Sequence, residues 1–153
     1  MERTFRRRLF FLVIILLASA PFGWARDVAL VANKGNTVKE VPLAELVKLA
    51  KAATKKWPDG KAVIVVMKDP GLPEMKVALQ KVFGMSMEEV KALVAANKES
   101  LLIVDSDQAL LRIVAAKPGA VGLIDVYSIN SDVDVIKVDG KLPLQPGYVL
   151  HGN

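Results

Sequence analysis

Ser106 to Val138, SDQALLRIVAAKPGAVGLIDVYSINSDVDVIKV, is the stretch that decides the fold. Asp105 or Ser106 suits a helix N-cap, and Ala109, Leu110, Ile113 and Val114 then recur at helical spacing. Pro118-Gly119 stops that helix and turns the chain. Ala120 to Val126 reads as a buried strand. Val133 to Val138 follows as a second strand whose imperfect alternation suits an edge.

The same alternation of strand and helix extends towards the N-terminus. Val28 to Ala32 is a short apolar run, bounded by the turn residues Asn33-Lys34-Gly35-Asn36. Pro42 suits a first helical turn, and Leu43, Leu46, Val47 and Ala50 predict a helix over 43–54. Trp57-Pro58-Asp59-Gly60 ends it. Ala62 to Met67 is continuous and β-branched, as in a strand covered on both faces. After the loop Lys68 to Pro73, Met75, Leu79, Val82 and Phe83 form a helical stripe that stops at Gly84. Ser86 with Glu89 three residues later is a capping box for a further helix to about Asn97. Leu101 to Val104 is a third strand. The order β-α-β-α-α-β-α-β-β predicts an α/β domain with a mostly parallel or mixed sheet between helical layers.

Residues 1–25 read as a signal peptide. Arg3, Arg6, Arg7 and Arg8 precede an apolar run from Leu9 to Ala20, and Gly23 and Ala25 suit a cut after Ala25. The run is short of the roughly 20 residues that a membrane-spanning helix needs. A periplasmic or secreted protein with no stable span after cleavage is therefore expected. The chain of 153 residues carries 21 Lys plus Arg against 16 acids. Removing the four arginines and one glutamate of the signal leaves 17 against 15, a net +2. The basic balance belongs largely to the export signal. With only Trp57, Phe83, Tyr127 and Tyr148 as aromatics after residue 25, no nucleic-acid surface is expected. There is no cysteine, which excludes disulfides and thiolate metal sites.

The motif string resembles the phosphate ABC-transporter substrate-binding family. The residues that carry the likeness are Asn33-Lys34-Gly35-Asn36, Leu43 to Leu46, Trp57-Pro58-Asp59-Gly60, Phe83 to Ser86, Ala115 to Leu123 and Val135 to Gly140. The resemblance covers most of residues 28–150. It implies a single lobe of the type II periplasmic-binding-protein fold over 26–138, with residues 139–153 as a C-terminal tail. It also implies phosphate or another oxyanion as ligand and an ABC permease or another envelope protein as partner. Asn36, Thr37, Lys68, Gly71 and Ser106 are the positions expected near such a ligand.

Two departures temper that expectation. The chain has residues for about one lobe, where the family closes two on its ligand. The family's ligand loop is rich in Gly, Ser and Thr; here it is Asp69-Pro70-Gly71-Leu72-Pro73-Glu74. Two prolines remove N–H donors, and two acids repel an anion. Phosphate binding is therefore expected to be weakened or lost. The alternative is an envelope protein-interaction domain that kept the lobe.

Catalytic, metal and cofactor roles find no support in the residues. The one histidine, His151, reads as a frayed tail residue, and no nucleophile–base pair or His/Cys cluster accompanies it. Asp105-Ser106-Asp107 reads as a helix cap. Asp132 and Asp134 read as solvated edge charges.

Overall fold

The computed structural model describes residues 26–152. Its strands are β1 (Val28–Asn33), β2 (Glu40–Val41), β3 (Ile64–Lys68), β4 (Leu101–Val104), β5 (Ala120–Asp125) and β6 (Val133–Val138). They form one six-stranded sheet in the order β2-β6-β1-β5-β3-β4. β3 runs parallel to β4 and β5, and β2 runs parallel to β6. β1 pairs antiparallel with both β5 and β6, so it alone runs against the others. The sheet is mixed, and its reversed strand lies near the middle.

Helices cover both faces. α4 (Asp107–Ala116) packs Leu110, Leu111 and Val114 on one face, against Ala29, Val31, Val66 and Ile124. α1 (Leu43–Ala50), α3 (Met87–Ala96) and the helical segment between them cover the other. That segment begins as a 3-10 turn (Pro73–Met75), continues as α2 (Lys76–Ala78) and widens into a π turn (Leu79–Phe83). Leu30, Val65, Met67, Leu123 and Ile136 meet this second layer. Burial on both faces explains why β3 and β5 read as unbroken apolar runs. The α/β three-layer reading holds.

Local signals in the sequence form where they were expected. Ser86 Oγ accepts from Glu89 N–H while Glu89 Oε2 accepts from Ser86 N–H, completing the capping box. Gly84 ends its helix at φ 59°. The expected helix over 43–54 is shorter, because Ala52 adopts φ 56° and turns the chain after Ala50. This frees residues 55–57 to run beside 61–63, where Val63 N–H donates to Lys55 O. Pro42 occupies the N-cap, not the first turn. The Leu43 N–H, which has no partner within the helix, donates to the carboxylate of Asp139 at 2.9 Å.

β6 is not an edge strand: the two-residue β2 lies outside it. Asp134 still faces solvent, in an ion pair of 2.8 Å with Lys39. Residues after Val138 turn tightly at Asp139 and Gly140, both at positive φ, and return to the sheet. Tyr148 and Leu150 are fully buried there. Tyr148 Oη donates to Val28 O at 2.8 Å, and Val28 N–H donates to Leu150 O at 3.0 Å.

Candidate functional site

β3, β4 and β5 end together, at Lys68, Val104 and Asp125, because Lys68 pairs with Val104 in the parallel register. The loop 69–72 and the start of α4 rise from this edge. Crevices at the carboxyl ends of parallel strands are where such folds take ligands.

Lys68 is the central charge. It is 7% exposed, and its Nζ lies 2.8 Å from Glu74 Oε1 and 2.9 Å from Asp107 Oδ1. A lone buried ammonium is expensive, so a partner is required. Burial pushes the Lys68 pKa down, but the hydrogen bonds to Glu74 and Asp107 outweigh it and hold it above its ordinary value. The same contact with Lys68 holds the Glu74 carboxyl below the usual range. Asp107 is tied on its other side by the hydroxyl of Ser128, which donates to Oδ2. Ser106 caps α4, its Oγ accepting from Ala109 N–H at 3.1 Å.

These shifts have a sign. Glu74, depressed, adds stability that is full above its unfolded value of 4.5 and disappears as pH falls through its folded value. Lys68, raised, adds stability that is full below 10.5 and disappears as pH rises through its folded value. Glu74→Gln should therefore flatten the acid limb. Between about pH 6 and pH 3, the variant's urea midpoint should fall less than that of the unaltered protein. Parallel acid limbs would remove Glu74 from the account.

Of the expected ligand positions, the structure brings Lys68, Gly71 and Ser106 to this edge. Gly71 N–H donates to the Asp69 carboxylate at 2.8 Å, which closes the loop on itself. Asn36 and Thr37 are elsewhere. They follow β1, which runs the other way, so they lie at the opposite end of the sheet, about 17 Å away along the strands. Asn36 is buried there and its Oδ1 accepts from Val38 N–H, while Thr37 is exposed. The direction of β1 separates them from Lys68, and residue pattern does not carry strand direction.

A cleft of about 480 Å³ opens at the same edge, with Glu74, the partner of Lys68, in its wall. Arg26, Asp27, Asp125 and His151 line one side; Lys76, Val77, Gln80 and Lys81 line the other. Here the frayed-tail reading of His151 fails. Its Nδ1 is hydrogen-bonded to the buried carboxylate of Asp27, which also accepts from Leu144 N–H at 2.6 Å. Arg26 pairs with Asp125 at 3.0 Å. These contacts join residues about a hundred positions apart, and nothing in local spacing announces them.

The architecture is an α/β lobe with a type II periplasmic-binding-protein-like fold. The chain superposes on an ABC-type phosphate transport receptor from Vibrio cholerae with a TM-score of 0.67 at 17% identity, over 84% of this chain and 54% of that one. PstS from Borrelia burgdorferi gives 0.67 at 14% identity, over 84% and 55%. A putative phosphate ABC transporter substrate-binding protein with bound phosphate, from Clostridium perfringens, gives 0.64 at 22% identity, over 76% and 46%. The chain thus spans about half the length of these receptors. By their descriptions they are transport and binding proteins, not enzymes. No protein-family model matches the sequence, and no curated protein matches it.

Among the described residues, no helix is long and apolar enough to cross a membrane. The expected signal at 1–25 lies outside them.

Proposed function

We propose that the chain is an exported oxyanion-binding module of the phosphate-type substrate-binding class, serving an ABC uptake system, with Lys68 as the cation that meets the anion. The observation that carries this reading is a buried ammonium at the strand ends, beside the N-terminal turn of a ten-residue helix. The first-turn N–H groups of α4 and the helix dipole favour an anion at that place. The fold shared with solved phosphate receptors supports the same reading.

Glu74 and Asp107 shape its selectivity. Both accept hydrogen bonds, so a seat holding them beside Lys68 suits an oxyanion that carries its own protons. Phosphate near neutral pH has at least one O–H to give a carboxylate. Sulfate has none, and meets two like charges. Calorimetry on the purified protein should therefore show heat with phosphate and little with sulfate. Lys68→Met should abolish the phosphate heat. No heat and no thermal shift with phosphate, sulfate or molybdate would overturn the reading.

A second reading rests on a specific contact: the Lys68 charge is already met twice within the chain. On this reading the lobe is an envelope protein-interaction domain. Tyr127 is 69% exposed beside Ser128, and Leu144, 61% exposed, is fixed to Asp27 on the same edge. Silence towards phosphate in both the unaltered protein and Glu74→Gln, with partner capture lost in Tyr127→Ala, favours it.

A further inference from the structure

We infer that the cleft lined by Arg26, Lys76, Lys81 and His151 is a separate site for a small hydroxylated organic anion bearing at least two negative charges. The inference stands apart from the oxyanion seat, because its cations are different groups on different elements.

The volume comes first. About 480 Å³ is far more than one inorganic anion fills and falls in the range of small-molecule sites, roughly 300–1,000 Å³. A ligand that uses the space has an organic body.

Charge comes second. Three acids reach the cleft, and each is already engaged within the chain. Asp27 holds Leu144 N–H and His151. Asp125 holds Arg26 and accepts from Tyr127 N–H at 2.8 Å. Glu74 holds Lys68. The cations are less committed. Among the described residues Lys81 donates only to a carbonyl, His151 O, at 3.1 Å, and pairs with no acid. Lys76 has no ion-pair or hydrogen-bond partner among the described residues. Arg26 spends one nitrogen on Asp125 and keeps others. The groups left to a ligand are therefore cationic donors.

The remaining polar groups set the body. Gln80 both donates and accepts, as a hydroxyl requires. His151 has its Nδ1 fixed by Asp27, which orients the ring and leaves Nε2 as its second polar atom. Val77 supplies an apolar wall for a short carbon chain. Two or three carbons bearing hydroxyls and charged ends match this lining, either as a polyol phosphate or as a hydroxy-carboxylate.

Calorimetry on the whole protein at low salt tests the site with glycerol 3-phosphate, citrate and inorganic phosphate. Binding of at least one organic anion is expected. Lys76→Ala with Lys81→Ala should weaken it about tenfold or more, since each cation gives a charged hydrogen bond. Asp107→Asn, which alters the seat but keeps the Glu74–Lys68 pair and lies outside the cleft lining, should leave it in place, which separates this site from the seat. A far-ultraviolet spectrum and melting temperature matching the unaltered protein confirm that the double variant folds. Preference for glycerol 3-phosphate over citrate assigns a phosphate ester, and the reverse assigns a hydroxy-acid. Three results would overturn the inference: no binding of either organic anion, binding unmoved by the double variant, or binding lost in Asp107→Asn alone.

Discussion

Replacing Tyr148 with alanine lowers the unfolding free energy by about 3–5 kcal/mol, the range for deleting a buried aromatic ring. Tyr148 is 3% exposed, and its hydroxyl donates to Val28 O at 2.8 Å. The variant loses the buried ring and strips Val28 O of a partner at the start of β1. Tyr148→Phe isolates the second effect. It should cost about 1–3 kcal/mol, the penalty for a buried polar group left short of a hydrogen bond. Urea unfolding measures both. A loss below about 1 kcal/mol for the alanine variant would mean that the C-terminal segment adds nothing to the lobe. Burial, with the Asp27 charge as a smaller contribution, pushes the Tyr148 phenol well above its ordinary pKa of 10.0. Its contribution is thus full below that pH and fades above it.

Gly119→Ala is expected to cost at least about 3 kcal/mol, by two mechanisms acting together. Gly119 adopts φ 82°, a left-handed conformation that strains any residue with a Cβ. The added methyl would also sit 2.2 Å from the backbone oxygen of Ala62, which has no rotamer by which to move away. Relief requires displacing the Pro118-Gly119 turn. Two bonds depend on it: Trp57 Nε1–H donates to Gly119 O at 2.8 Å, and Ile64 N–H donates to the same oxygen at 3.3 Å. The entry to β3 and the packing of Trp57 should loosen together. A red shift of tryptophan fluorescence in the native baseline, besides the lost stability, reports this. A variant with unchanged midpoint and spectrum would show that the turn tolerates both strains.

The elements of this lobe are legible in the sequence because their causes are local. Ser86 and Glu89 lie within one turn of each other, Gly84 stops its own helix, and Ala120 to Ile124 is apolar throughout because both faces are covered. Lys68 was legible as an expected ligand position in the loop after the Ala62 to Met67 strand, Glu74 as an acid of the ligand loop, and Asp107 as part of a helix cap. Their closure on Lys68 was not visible, since it depends on the β3–β4 register. Strand direction was hidden for the same reason. Val28 to Asn33 has the same composition whichever way it runs, yet its reversal moves Asn36 and Thr37 to the far end of the sheet. Tyr148, Leu150 and His151 were obscured by the prolines and glycines around them, which suit a loop whether or not it packs.

The position of β1 also bears on when the protein can fold. Among the strands of the sheet, residues 28–33 leave the ribosome first, but the strands on either side of them, β5 and β6, are made last. Until the final third of the chain is available, the middle of the sheet has no neighbours and the first strand has nothing to pair with. Tyr148 and Leu150, which close over the start of β1, arrive later still. Such long-range pairing makes folding slow. A nascent chain of this design therefore completes its sheet only after its last two strands have been made.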